Sequence, residues 1–356
     1  MEALPRTRAV LDAGLAARAF PAAVVEAGRA SGAIARIAGG HLRYEADAPL
    51  CATDTIFDLA SLTKVIATTS FVMRAIGDGR LALDASIADY LPEWRDAAHA
   101  PITIRQLLDH SSGLPAHARF WEQHRGRPAF ARAIYEAGLD RPIGSSAIYS
   151  DLGFMTLGFV AANVFDVPLD RQLDALTAVL DDRTLAYLPP DEWLSRTAPT
   201  EFDPWRGRLL CGEVHDENAA ALGGVAGHAG VFGTAAAVGA VARLVLRTFH
   251  TTTWLGTPAL MQTIAAKSRV PGSSRALGWD TMLPTSSCGT RLSPAAIGHT
   301  GFTGTSLWID PLQDLYVVLL TNRVHPTRSN DGIRAVRPRL HDAVVEDLFR
   351  TSNFEL

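Results

Sequence analysis

Ser61 and Lys64, three positions apart, are the first residues in this chain whose types and spacing could carry out chemistry. Only Lys64 and Lys267 of the 33 basic residues are lysine. Arginine keeps its proton near neutral pH, whereas a desolvated lysine amine can release it and act as a general base. A serine hydroxyl is a weak nucleophile unless such a base lies beside it. The segment Ser61-Leu62-Thr63-Lys64 therefore indicates an activated serine.

The residues after Ser61 predict how the pair is positioned. The apolar run 65–76 ends at Gly77-Asp78-Gly79, which predicts a largely buried helix that begins near Ser61. Residues i and i+3 share one face of a helix, so the Lys64 amine can reach the Ser61 hydroxyl. At the positive N-terminal end of the helix an alkoxide is favoured. Taken alone, the motif is better explained by an unrelated serine near a lysine that extends from a core helix, because short motifs often match by chance.

Composition narrows the classes of protein. The chain has 356 residues, 47% hydrophobic and 20% charged residues, and a formal net charge of −4. These values argue against disorder and against a nucleic-acid partner, and the length allows two lobes. Apolar runs are interrupted well before the roughly 20 residues that a membrane span needs. No partner protein is indicated.

Two further patterns concern the compartment. Residues 1–20 contain no continuous apolar segment of the kind found in signal peptides, so a cytoplasmic location is expected. Cys51, Cys211 and Cys288 are odd in number and far apart, which favours reduced thiols over a disulfide framework.

The two ends of the chain are rich in strand patterns, and the middle is mostly helical. Short apolar runs separated by glycine over residues 20–50 predict antiparallel strands, as do residues 305–311 and 315–322. We expect an α/β (α+β) fold in which residues 1–80 and 265–356 form one α/β domain around a shared sheet. Residues 81–264 would form a mainly helical domain, with 181–216 as an extended surface loop near the cleft between them.

Two more motifs accompany Ser61 and Lys64. They are Tyr149-Ser150-Asp151 and His299-Thr300-Gly301, each far from Ser61 in sequence. In order and rough spacing the three resemble the Ser-x-x-Lys, Tyr-x-Asn and Lys-Thr-Gly motifs of the serine β-lactamase and penicillin-binding-protein superfamily. The resemblance covers nearly the whole chain and is closest to class C β-lactamase-like serine hydrolases, in their esterase and peptidase branch. Segments 105–115 and 223–232 add to it.

This resemblance implies a fold and a mechanism. The fold would be β-lactamase/transpeptidase-like, with a central antiparallel sheet flanked by helices and an inserted helical domain. Ser61 would attack a carbonyl and form an acyl-enzyme, while Lys64 and Tyr149 share the proton transfers. The positive charge of Lys64 would favour the Tyr149 phenolate. The backbone N–H groups of Ser61 and Phe302 would form the oxyanion hole. The resemblance thus implies a small-molecule ester, amide or peptide as the substrate, and a mechanism that needs no cofactor or metal.

Two departures from the family pattern bear on substrate choice. His299 replaces a lysine, so a permanent cation becomes a group that titrates near pH 6.5, and Asp151 replaces an asparagine. Both changes lower the expected attraction for a substrate carboxylate, although Asp151, His299, Thr300 and Gly301 would still bind substrate. Esters and less anionic amides, including muropeptide-type substrates, are therefore favoured. A class C-type β-lactamase, a D-Ala-D-Ala-directed penicillin-binding protein and a non-catalytic binding protein on the same fold are the alternatives.

One further cluster, His215, Asp216, Glu217 and His228, has ligand types that suit a metal. Its spacing differs from His-Glu-x-x-His, so zinc is not favoured. These residues are expected to line the cleft, with His228 in contact with substrate, or to hold the 181–216 loop in place.

Overall fold

The computed structural model describes residues 4–350, and its largest sheet joins the two ends of the chain. The sheet is antiparallel throughout, in the order β2-β1-β11-β10-β9-β8. Its strands are β1 Ala22–Arg29, β2 Gly32–Gly40, β8 Asp280–Thr281, β9 Ile297–Thr300, β10 Ser306–Asp310 and β11 Leu315–Thr321. The C-terminal strand β11 thus lies beside β1, with Val25 opposite Leu319.

Helices cover both faces of this sheet. They are α1 Pro5–Ala16, α2 Thr69–Gly77, α3 Ile104–Leu108, α4 Gly126–Ala137, α5 Asp151–Phe165, α6 Leu169–Thr177, α7 Glu217–Ala221, α8 Ala235–Thr248, α9 Pro258–Ala265 and α10 Ile333–Arg350. Helices α1 and α10 pack on one face and α8 on the other. Alternate residues of β11 follow this division, since Val317 and Leu319 face one core and Val318 and Leu320 the other. Strands with both faces buried become continuously apolar, as β11 is.

The predicted antiparallel sheet flanked by helices is confirmed. The division into residues 1–80 with 265–356 and residues 81–264 stays a prediction. Helix α8 belongs to the second range by sequence but packs directly on β1 and β11.

The 181–216 segment differs from the extended surface loop that its composition predicts. It contains a short strand, β4 Leu185–Tyr187, which joins β3 Phe57–Asp58 and β7 Val231–Gly233 in the order β3-β7-β4. A hairpin of β5 Phe202–Asp203 and β6 Arg208–Leu209 follows. Residues 197–201 are buried. The pairing of β4 with β7 satisfies backbone N–H and C=O groups that a buried loop without strands would leave unpaired.

Within the described range 4–350, no single helix is both long and apolar enough to cross a membrane. One bent pair, α5 with α6 at 76°, meets the criterion by length and composition alone. Cys51, Cys211 and Cys288 are free.

Candidate active site

Ser61 lies directly before a helical segment that begins at Leu62 and continues through α2. Its first turns, Lys64–Thr68, are π-helical, a local widening often found at functional sites. The fully buried Lys64 Nζ lies 3.0 Å from Ser61 Oγ, 3.0 Å from the His228 carbonyl oxygen and 2.8 Å from Asp151 Oδ1. The first two contacts are hydrogen bonds that the amine donates, and the third is an ion pair.

The protonation state of Lys64 differs from the one expected of a desolvated amine. Burial lowers its pKa, but the charge of Asp151 and hydrogen bonds with Asp151 and Tyr149 outweigh burial, so the pKa is raised above 10.5. Lys64 is therefore an ammonium at neutral pH. The prediction of a free amine base is wrong for the resting site, because sequence spacing did not reveal the ion pair.

Asp151 is the partner that causes this change. It begins α5, where the Ser150 hydroxyl accepts a hydrogen bond from the Gly153 N–H at 3.0 Å and caps the helix. Burial opposes ionisation of Asp151, but Lys64, His117 and His228 together hold its pKa far below 3.8. The half-exposed His117 places Nδ1 3.7 Å from Asp151 Oδ2. Asp151 thus contacts Lys64 and His117 and does not line the cleft, contrary to its predicted role in binding substrate.

Tyr149 lies among four side chains beside Ser61. Lys64 Nζ is 4.8 Å from the centroid of its ring and the Arg275 guanidinium carbon 5.1 Å, while the rings of His110 and His299 lie 4.8 and 5.8 Å away. Burial raises the pKa of Tyr149 above 10, although Lys64 and hydrogen bonds with Lys64 and Ser61 act in the opposite direction. The expected phenolate is therefore wrong, because burial outweighs the nearby cation.

His299 is only 3% exposed, at the end of β9. Its Nδ1 lies 2.9 Å from the Thr300 carbonyl oxygen, and its buried Nε2 has no hydrogen-bond partner within residues 4–350. Burial and the positive charges of Lys64 and Arg275 lower its pKa well below 6.5. The imidazole is neutral at pH 7, so the prediction of a cation that titrates near pH 6.5 is wrong.

The two predicted oxyanion donors belong to neighbouring segments. Neither the Ser61 N–H nor the Phe302 N–H donates to a protein acceptor in the described part of the chain. Thr303 Oγ1 donates to the Asp58 carbonyl oxygen at 2.7 Å, and Thr305 Oγ1 to that of Leu59 at 3.0 Å. The turn that carries Phe302 is thus joined to the segment just before Ser61.

The cluster of His215, Asp216, Glu217 and His228 contacts Lys64 and Phe302. His228 is 1% exposed, its Nε2 lies 2.8 Å from Asp216 Oδ1, and its carbonyl accepts from Lys64. Its side chain is thus buried and is not part of the cleft lining, which differs from the predicted contact with substrate. His215 Nε2 lies 2.8 Å from Glu201 Oε2, and its ring stacks on Phe302 at 5.6 Å, which holds the 181–216 segment against the oxyanion turn. Within residues 4–350 no three His, Cys, Asp or Glu side chains are grouped to hold a metal.

A cleft of about 450 Å³ opens in front of these residues. Its lining includes the predicted Ser61, Tyr149, His299, Thr300, Gly301 and Phe302, together with Arg275, Asp280, Arg323, Ile333, Arg334 and Arg337. The four arginines were not found from the sequence, because arginine is the chain's ordinary basic residue and no local motif distinguishes these four. A larger cavity of about 690 Å³, lined by residues of α3 and 263–271, contains none of the motif residues.

A nucleophile candidate hydrogen-bonded to a buried lysine, in a cleft between an antiparallel sheet and helices, defines a class of serine hydrolases. Residues 9–339 match the model of the Beta-lactamase family, and the chain belongs to that family. It is 32% identical over 312 residues to a protein of Escherichia coli (strain K12) named "Putative D-alanyl-D-alanine carboxypeptidase", covering 77% of this chain and 70% of that protein.

Solved structures agree on the fold. A β-lactamase from Sulfitobacter sp. EE-36 matches with a TM-score of 0.77 at 21% identity, covering 98% of each chain. EstCE1, described as a hydrolase with promiscuous acyltransferase activity, matches with a TM-score of 0.74 at 21% identity, covering 96% of this chain and 98% of that one. The resemblance seen in the motifs is confirmed, and the protein is a serine hydrolase of this family.

Proposed function

We propose that this hydrolase forms an acyl-enzyme at Ser61 and cleaves small peptide amides or esters that carry a carboxylate next to the scissile bond. Peptides that end in D-alanyl-D-alanine are the first candidates, since relatives carry a carboxypeptidase name. The observation that supports this proposal is the charge of the cleft, where four arginines face one acid, Asp280.

Two of the four arginines, Arg275 and Arg334, are available to an anion, whereas Arg323 and Arg337 are buried and donate to backbone carbonyl oxygens. None of Arg275, Arg323, Arg334 and Arg337 forms an ion pair with a carboxylate in the described part of the chain. Arg334 is exposed on α10, and Arg275 lies over the Tyr149 ring. Charge-assisted hydrogen bonds to arginine contribute about 1.5–3 kcal/mol. The cleft therefore attracts carboxylates without a cation at His299, contrary to the weaker attraction expected from the motifs alone.

The chemistry follows from the protonation states. The Lys64 ammonium donates to Ser61 Oγ and stabilises the developing alkoxide. As Ser61 attacks, its proton passes to the Tyr149 oxygen, and the phenol passes its own proton to the leaving amine or alkoxide. The Ser61 and Phe302 N–H groups hold the oxyanion. Water then attacks the acyl-enzyme, and the same relay returns a proton to Ser61. A neutral phenol suffices, because it takes up one proton and releases another.

Paired substrates test the proposal. We would measure kcat/KM for an acyl-D-alanyl-D-alanine peptide and for the same peptide with a C-terminal amide. The free carboxylate should raise kcat/KM at least about tenfold, and Arg334→Gln should remove most of that preference. Ser61→Ala should abolish turnover of both. Equal rates for the two peptides would contradict the proposal and indicate an esterase or amidase for neutral substrates.

A further inference from the structure

The turn after β9 carries Phe302, and its peptide groups are held by arginine side chains. Gly301 N–H donates to the Thr305 carbonyl oxygen at 2.7 Å and closes the turn. A side chain at Gly301 would meet Thr305 Oγ1 and the Leu59 carbonyl oxygen, so the turn lies tightly against the Ser61 segment. The direction of the Phe302 N–H is decided within this turn.

Arg337 is a charged side chain buried behind the turn. It lies on α10 with 9% exposure. Its Nη2 donates to the Gly301 carbonyl oxygen at 2.7 Å and to the Thr305 carbonyl oxygen at 2.9 Å. No carboxylate of residues 4–349 pairs with it, and its Nε has no partner there. Burial of a cation without a carboxylate partner costs free energy. The Arg337 guanidinium, buried against two carbonyl groups, therefore needs an explanation beyond packing.

The geometry of the peptide group between Gly301 and Phe302 supplies an explanation for the buried guanidinium. The Gly301 carbonyl and the Phe302 N–H belong to one planar trans peptide, so they point in opposite directions. Arg337 holds that carbonyl on the α10 side, which turns the Phe302 N–H away from α10. Arg323 Nε donates to the Phe302 carbonyl oxygen at 2.8 Å and holds the next peptide plane. Two fixed planes restrict both backbone dihedrals of Phe302.

We propose that Arg337, assisted by Arg323, is a positioning residue that orients the Phe302 N–H toward the oxyanion formed at Ser61. This inference rests on the proposed acyl-enzyme at Ser61 but not on the proposed carboxylate preference. Arg337 acts on the reaction through the backbone of Gly301 and Phe302 and does not need to touch substrate.

A neutral ester separates this role from substrate recognition. p-Nitrophenyl acetate has no carboxylate for an arginine to bind, yet its hydrolysis needs the oxyanion hole. We expect Arg337→Gln to lower kcat for this ester about 10²-fold, the loss seen when one oxyanion donor is removed, with little change in KM. Arg339→Gln, an exposed arginine on the same helix outside the cleft, is the matched control and should leave kcat unchanged.

A transition-state analogue gives a second readout. A boronic acid forms a tetrahedral adduct with serine whose oxygen occupies the oxyanion hole, so its affinity should fall by the same factor as kcat/KM. Arg337→Lys keeps a cation and should show a smaller loss, of about tenfold, in both measurements. If Arg337→Gln does not fold, as judged by circular dichroism, Arg337→Lys decides the question with the same two readouts.

Two outcomes overturn the inference. One is a neutral-ester kcat within about threefold of wild type in the folded Arg337 variants. The other is a loss of kcat with unchanged boronate affinity, which would place the effect elsewhere in the mechanism. The proposed function fails separately, through equal rates for the free and amidated peptides or through activity in Ser61→Ala.

Discussion

Asp151 is the single residue that most changes the chemistry expected of the motifs. At this position the family resemblance implies an asparagine, which would leave Lys64 with neutral partners. The carboxylate instead pairs with Lys64 at 2.8 Å and raises the lysine pKa against the effect of burial. An opposite charge within about 4–6 Å can shift a pKa by about one to three units. The protonation state of Lys64 therefore depends mainly on Asp151.

The Asp151→Asn variant should reverse the direction of the Lys64 pKa shift. Without the carboxylate, burial becomes the main influence, so Lys64 should lose its proton below the usual lysine value instead of above it. Because Lys64 and Lys267 are the only lysines, a chain labelled with ¹³Cε-lysine gives two resonances to follow by NMR. The exposed Lys267 is an internal control. An unchanged Lys64 titration in Asp151→Asn would show that the ion pair does not set its pKa.

His299 leads to a prediction about pH. Its pKa is lowered well below 6.5, so the imidazole is already neutral at about pH 6 and loses no further proton as the pH rises. The ratio of kcat/KM for the free and amidated peptides should therefore stay constant between about pH 6 and 8. His117, whose pKa is raised by its hydrogen bond to Asp151, acts equally on both substrates and cancels in the ratio. A ratio that falls through this range would mean that a protonated histidine recognises the carboxylate.

Among the secondary-structure elements, α5 connects Asp151 to the loop behind Lys64. A side chain at Gly158 would lie 2.9 Å from Gly227 Cα and 3.0 Å from Gly227 N. The next residue, His228, presents its carbonyl to Lys64, and Thr68 Oγ1 donates to the Gly227 carbonyl oxygen at 2.6 Å. The close contact of α5 with this loop therefore supports the carbonyl group that accepts from Lys64.

Two glycines of α5 form a matched pair for a stability measurement. Gly158→Ala should lower the free energy of unfolding by about 1–3 kcal/mol, because the methyl group meets backbone atoms that cannot move aside. Gly153→Ala meets nothing closer than 3.6 Å and should be neutral or stabilise by up to about 1 kcal/mol through helix propensity. Urea denaturation of both variants checks the difference. Equal effects would mean that the contact of α5 with Gly227 is not tight.

At the scale of the whole molecule, a buried ionic network links the large sheet to α8. Glu26 on β1 is fully buried and lies 2.6 Å from Arg36 Nη2 and 3.3 Å from Arg243 Nη1. The Tyr316 hydroxyl on β11 donates to Glu26 at 2.8 Å, and Arg243 also pairs with Asp181 at 2.8 Å. The network thus joins strands from both chain ends to a helix from the middle of the chain.

Removal of one partner should be costly. Arg243→Met leaves the buried Glu26 with the Tyr316 hydroxyl and one cation, Arg36. Breaking a buried ion pair in this way costs about 3–5 kcal/mol. The double variant Glu26→Gln, Arg243→Met should recover part of that loss, because no buried carboxylate remains uncompensated. Thermal and urea unfolding measure both. A single variant as stable as wild type would show that the network contributes nothing to joining the sheet and α8.

Local patterns in the sequence were sufficient for the strands, the terminal helix and the three motifs. Alternating and continuous apolar runs reflect the faces that an element buries, so β1, β2, β10, β11 and α10 could be predicted. The three-residue spacing of Ser61 and Lys64 is a property of a single turn, and the structure places their side-chain atoms 3.0 Å apart. Such features depend on neighbours along the chain, which the sequence lists directly.

Only the tertiary structure decided the charges of the site. Lys64 remains an ammonium because Asp151 lies 87 positions away in sequence but 2.8 Å away in space, and His299 is neutral because the fold buries it near Lys64 and Arg275. The four arginines of the cleft come from segments that carry no motif. A pKa depends on burial and on the charges that surround a group in three dimensions. The sequence determined which groups could react, and the packing of distant segments determined their protonation states.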